Sequence, residues 1–71
     1  MDENKQEICN LLLKTLQATR GQSDLISLEY SQDEMLGVER VTAKYADGFT
    51  RRIDVTADSG IALIRDVAGR L

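Results

Sequence analysis

The sequence predicts an α+β fold: one small domain over residues 1–71, ordered helix, strand, strand, strand, helix. The three strands form an antiparallel meander, with both helices packed on one of its faces. Three observations lead there. The first and last segments repeat apolar residues at helical spacing, and three segments between them alternate apolar and polar residues with a period of two. The connections between the alternating segments are short and carry glycine. Seventy-one residues, 42% apolar and 30% charged, suffice for one such domain and nothing larger.

Residues 4–20 read as the first helix. Asn4 caps it, Glu7 stands three positions on as in a capping box, and Arg20 and Gly21 supply a C-terminal cation and a C′ residue. Its apolar residues, Ile8, Cys9, Leu11, Leu12, Leu13 and Leu16, span roughly 200° of the helix, against the stripe of about 100° that a surface helix needs. Residues 25–31 form the first strand, with Ile26, Leu28 and Tyr30 on one face, and Ser31-Gln32-Asp33-Glu34 breaks the pattern as a loop. Residues 38–45 place Val41, Ala43 and Tyr45 opposite Arg40, Thr42 and Lys44. Residues 49–57 place Phe49, Ile53, Val55 and Ala57 opposite Thr50, Arg52, Asp54 and Thr56.

Parity decides the second hairpin. A two-residue Asp47-Gly48 loop would pair Thr42 with Ile53 and put the two apolar sets on opposite faces. A three-residue Ala46-Asp47-Gly48 loop pairs Val41 with Ile53 and Tyr45 with Phe49. It also puts Gly48 in the left-handed position of a type I turn with a G1 bulge. The three-residue loop is therefore expected. The second helix, 58–70, is capped by Asp58 or Ser59 and carries Ile61, Ile64, Val67, Ala68 and Leu71, widened by Leu63. The expected core is Ile26, Leu28, Tyr30, Val41, Ala43, Tyr45, Phe49, Ile53 and Val55 from the sheet. The helices add Ile8, Leu12, Leu16, Ile64, Val67 and Ala68.

Composition excludes much chemistry. With no histidine there is no imidazole base or ligand, and with a single cysteine no internal disulfide. Cys9 shares a helix face with Leu12 and Leu16, where a thiol serves as a small buried hydrophobe. The carboxylate pairs Asp2-Glu3 and Asp33-Glu34 lack the periodicity of a cation loop. Asp58-Ser59-Gly60 opens a helix, but Asp58 repels an anion and no phosphate-loop motif occurs. No catalytic residue, metal site or cofactor is expected, and the chain reads as no enzyme. Met1-Asp2-Glu3-Asn4 has neither the positive charge nor the cleavage site of a secretory signal. Leu11-Leu12-Leu13 is too short to span a bilayer. A reducing cytoplasm is the expected compartment, with no membrane partner.

Two surfaces remain. On the sheet face away from the helices, Arg52 faces Thr42, which lies between Arg40 and Lys44, so the three cations gather there with Asp54 opposite Arg40. That cluster carries the alternative expectation of a nucleic-acid accessory protein binding through Arg40, Lys44 and Arg52, and the helix–three strands–helix order resembles that of the double-stranded RNA-binding domain. The likeness stops at topology. That domain opens its second helix with lysines, whereas this one opens Asp58-Ser59-Gly60-Ile61, and the net charge is −3. The sheet face also lacks the aromatics that stack on RNA bases.

The second surface is apolar. The wide first helix leaves Leu11 or Leu13 unhoused, and Met35 and Leu36 add apolar loop surface. A chain this short has a thin core, and small scaffolds often recover the deficit by association. The first expectation is therefore a small cytoplasmic, bacterial or phage-like protein–protein interaction module. It would be homodimeric or bind another protein, using Leu11, Leu13, Met35 and Leu36.

Overall fold

The computed structural model describes residues 4–19 and 23–71. Its order is α1 (Lys5–Gln17), β1 (Leu25–Asp33), β2 (Val38–Tyr45), β3 (Thr50–Asp54) and α2 (Gly60–Arg70), an α+β fold. The strands form an antiparallel meander in the order β1-β2-β3. The expected cap at Arg20–Gly21 and the Asp2–Glu3 pair lie outside the described residues.

Each helix begins on the side chain its sequence offers. Asn4 Oδ1 accepts from Glu7 N at 3.0 Å, and Ser59 Oγ accepts from Ala62 N at 3.4 Å. α1 ends before residue 20: Ala18 N donates to the Thr15 carbonyl, and both the backbone N–H and the hydroxyl of Thr19 donate to the Leu16 carbonyl. Those bonds tighten the last turn into 3₁₀ form.

The second hairpin takes the register that parity demands, pairing Arg40 with Asp54, Val41 with Ile53 and Thr42 with Arg52. Gly48 sits at φ +88°, its N–H donates to the Tyr45 carbonyl at 3.0 Å, and Tyr45 N donates to the Phe49 carbonyl at 2.9 Å. The Tyr45 and Phe49 rings meet at 6.0 Å between centroids. In the first hairpin β1 runs on to Asp33, through residues expected to be loop. Asp33 closes a four-residue turn, its Oδ1 accepting from Met35 N and Leu36 N while its carbonyl accepts from Gly37 N.

Four expectations about the core are corrected. Alternation puts Ile26 inward, but a β-bulge intervenes: Leu25 pairs with Tyr45 and Ser27 with Lys44, leaving Ile26 as the extra residue. Leu25 takes the core position, and Ile26 is 57% exposed. Phe49 lies at the hairpin end beyond the helix layer and is exposed. Ile64 and Ala68 are also exposed, because α2 is rotated to bury Gly60, Leu63 and Val67, with Leu71 packed beside them. β3 likewise stops at Asp54. The chain then turns through Ala57 at φ +62°, with Thr56 N bound to Asp54 Oδ1 and Asp58 N to the Val55 carbonyl. The core is Cys9, Leu12, Leu25, Leu28, Val41, Ala43, Ile53, Val55, Leu63 and Val67.

α1 runs antiparallel to β1 and closes its open edge with two side-chain amides. Gln6 Oε1 accepts from Tyr30 N at 2.8 Å, and Gln6 Nε2 donates to the Leu28 carbonyl at 3.2 Å, as a neighbouring peptide would. Gln17 Nε2 donates to the Leu25 carbonyl at 2.8 Å. An uncovered strand edge is a template for unwanted pairing, and these glutamines occupy it.

Candidate functional site

The residues singled out for self-association fall at three separate places. Leu13 is half-buried and packs on the core. Met35 and Leu36 sit at the tip of the β1–β2 hairpin, with Met35 95% exposed. Leu11 is 61% exposed on the outer face of α1. It lies one and a half turns past Gln6, which is bound at Leu28 and Tyr30, and so points away from the hairpin tip.

Leu11 has apolar company. With Ile8, Leu12 and Thr15 of α1 and Ile64 of α2 it lines an open groove of about 300 Å³ between the helices. The rotation of α2 extends this surface. Ile61, 69% exposed, Ile64 and Ala68 recur at spacings of three and four, so they share one flank of α2. The two helices thus bury one apolar stripe against the sheet and leave a second along their outer face. The sequence puts Ile61 and Ile64 on the same apolar face as Val67, with Leu63 widening it, and spacing alone does not say which edge of that wide face the sheet covers.

On the opposite face of the sheet, Arg40, Lys44 and Arg52 are exposed around Thr42. They share that face with carboxylates. Glu29 approaches Lys44 at 3.7 Å, and Asp54 stands across from Arg40. The hydroxyl and backbone N–H of Thr56, helped by Arg40, hold Asp54 below its ordinary pKa, so it stays charged.

A polar cluster at the N-terminal end of α1 was not anticipated. Glu39 occupies an inward position of β2. It pairs with Lys5 Nζ at 2.5 Å, accepts from the Tyr30 hydroxyl, and takes the Ala57 N–H at 3.0 Å. The bonds from Lys5 and Tyr30 lower its pKa to about 2, with a further contribution from Ala57. Burial, then the bond to Glu39, raises the Tyr30 phenol to about 12. Beside it, a hydrogen bond with Asp66, followed by burial, raises the carboxyl of Asp58. The only trace of this cluster in the sequence is a glutamate at the same parity as Val41, Ala43 and Tyr45. The cluster joins α1, the sheet and the turn before α2, and acts as a structural clasp.

Cys9 is fully buried, and burial raises its thiol pKa. The carboxylate of Asp33 is engaged in its own turn. Among the described residues, no three acidic or cysteine side chains are grouped to hold a metal, and no helix is long and apolar enough to cross a membrane. Compared with known protein families, curated proteins and solved structures, the chain has no match.

Proposed function

We propose that this chain is a non-enzymatic protein–protein interaction module that forms a homodimer through the outer face of its two helices. One observation carries the reading: an open groove lined by Ile8, Leu11, Leu12, Thr15 and Ile64, with exposed Ile61 on the same flank of α2, on a domain whose core holds ten buried side chains among the described residues. Exposed apolar surface gathered in one place, and not scattered singly, marks an interaction site. The cationic sheet face is a weaker rival as a nucleic-acid surface, because Glu29 and Asp54 lie among its three cations.

Sedimentation equilibrium at micromolar concentration tests the proposal. The wild type runs above its 7.9 kDa monomer mass. Leu11→Asp returns it to monomer, while Met35→Asp at the hairpin tip leaves it dimeric. A wild type that stays monomeric, or a dimer indifferent to Leu11→Asp, would refute the assignment.

A further inference from the structure

The outer face of α1 carries charge as well as leucine. Glu7 and Lys14 are both exposed, at −4 and +3 from Leu11, so all three project from one side of the helix. Neither side chain has an ion-pair partner among the described residues.

Resting on the dimer reading above, we infer that the occupant of this face is a second copy of the chain, its α1 antiparallel to the first about a two-fold axis through Leu11, with Glu7 of each copy paired to Lys14 of the other. A two-fold interface must be self-complementary. At about 1.5 Å rise per residue, Glu7 lies about 6 Å to one side of Leu11 and Lys14 about 4.5 Å to the other. Rotation about the axis brings the second copy's Lys14 to within about one residue's rise of Glu7, and it does so twice. A parallel pairing would set Glu7 on Glu7 and Lys14 on Lys14, which repel. The charges therefore select one orientation, and the groove beside Leu11 receives the facing apolar side chains. A molecule of net charge −3 repels its own copy at long range, so two local attractions at the contact decide whether self-pairing wins.

Charge reversal with mixing tests the arrangement. Glu7→Lys places two lysines across each contact, and Lys14→Glu places two glutamates there. Each variant alone should raise the dimer dissociation constant about tenfold at low salt. An equimolar mixture should recover wild-type affinity as a heterodimer, because each variant supplies what the other lacks. The mixture also controls for helix stability, since each protein keeps its own substitution. Circular dichroism confirms folding. Single variants as tight as wild type, or a mixture no tighter than its components, would overturn the antiparallel pairing. If Leu11→Asp still dissociates the dimer in that case, the interaction face stands and only its geometry falls. A monomeric wild type removes both.

Discussion

Two neighbouring residues of α2 separate the face that builds the fold from the face proposed to meet a second copy. Leu63 is wholly buried beneath the helix, and Ile64 borders the outer groove at 37% exposure. Truncating a buried leucine to alanine loses the transfer free energy of the deleted carbons plus a cavity term, about 2–5 kcal/mol in all. Leu63 is enclosed by both layers, where little can collapse to refill the space, so the upper part of that range applies. A 71-residue domain holds a total stability of about 4–10 kcal/mol. Leu63→Ala should therefore remove a third or more of it, and lower the melting temperature by about 15–40 °C at about 4–8 °C per kcal/mol. Ile64→Ala opens no enclosed cavity and should cost about 1 kcal/mol in the monomer. Urea and thermal denaturation followed by circular dichroism, in dilute and concentrated solution, measures both. The loss from Leu63→Ala should be the same at both concentrations, and that from Ile64→Ala should grow with concentration as the dimer forms. Equal costs, or a larger one for Ile64→Ala in dilute solution, would refute the rotation of α2 that buries Leu63 and exposes Ile64.

Three further outcomes follow from the same geometry. Glu39→Gln should destabilise the protein near neutrality and less so in acid. The depressed pKa means that the carboxylate's contribution is complete above its ordinary pKa of 4.5 and disappears as pH falls through about 2. Stability curves of the two proteins should converge across that window, and a constant gap would contradict the clasp. Gln6→Ala should free the Tyr30 N–H, cost about 1–2 kcal/mol, and speed hydrogen exchange at that amide, leaving Ala43 in the central strand protected. Ala57→Gly should stabilise by about 1 kcal/mol, since it relieves a left-handed backbone in a residue with a Cβ. A loss on denaturant titration would show that the turn does not hold that conformation.

The second hairpin was fully legible because two independent constraints, the apolar parity of β2 and β3 and the backbone freedom of Gly48, accept only one register. The bulge in β1 was not. Ile26, Leu28 and Tyr30 alternate without fault, and nothing local reveals that Tyr45 and Lys44 pair around Ile26 to draw Leu25 inward. The phase of α2 was ambiguous for a related reason. Either stripe satisfies helical spacing, and the choice is made by the turn at Ala57 and the Ser59 cap, which set where the helix begins. This ambiguity also concealed half of the candidate site. The excess of apolar surface on α1 pointed to Leu11, but Ile61 and Ile64 join it only once Leu63 and Val67 take the core. The Lys5–Tyr30–Glu39 clasp lay out of reach because its partners are far apart in the chain, Lys5 and Glu39 being 34 residues apart. No spacing rule connects them before the fold does.

The proposed contact brings two copies together at Leu11 on the outer face of α1. Leu11→Cys tests it directly. The native thiol, Cys9, is buried and does not compete. Residues beside a two-fold axis come within the reach of a disulfide, with Cα atoms about 4.4–6.8 Å apart. Under mild oxidation, rapid and near-complete conversion to a covalent dimer is expected on a non-reducing gel, reversed by a reductant. A Leu11→Cys protein that stays monomeric on that gel while Met35→Cys cross-links would place the contact at the hairpin tip and contradict it.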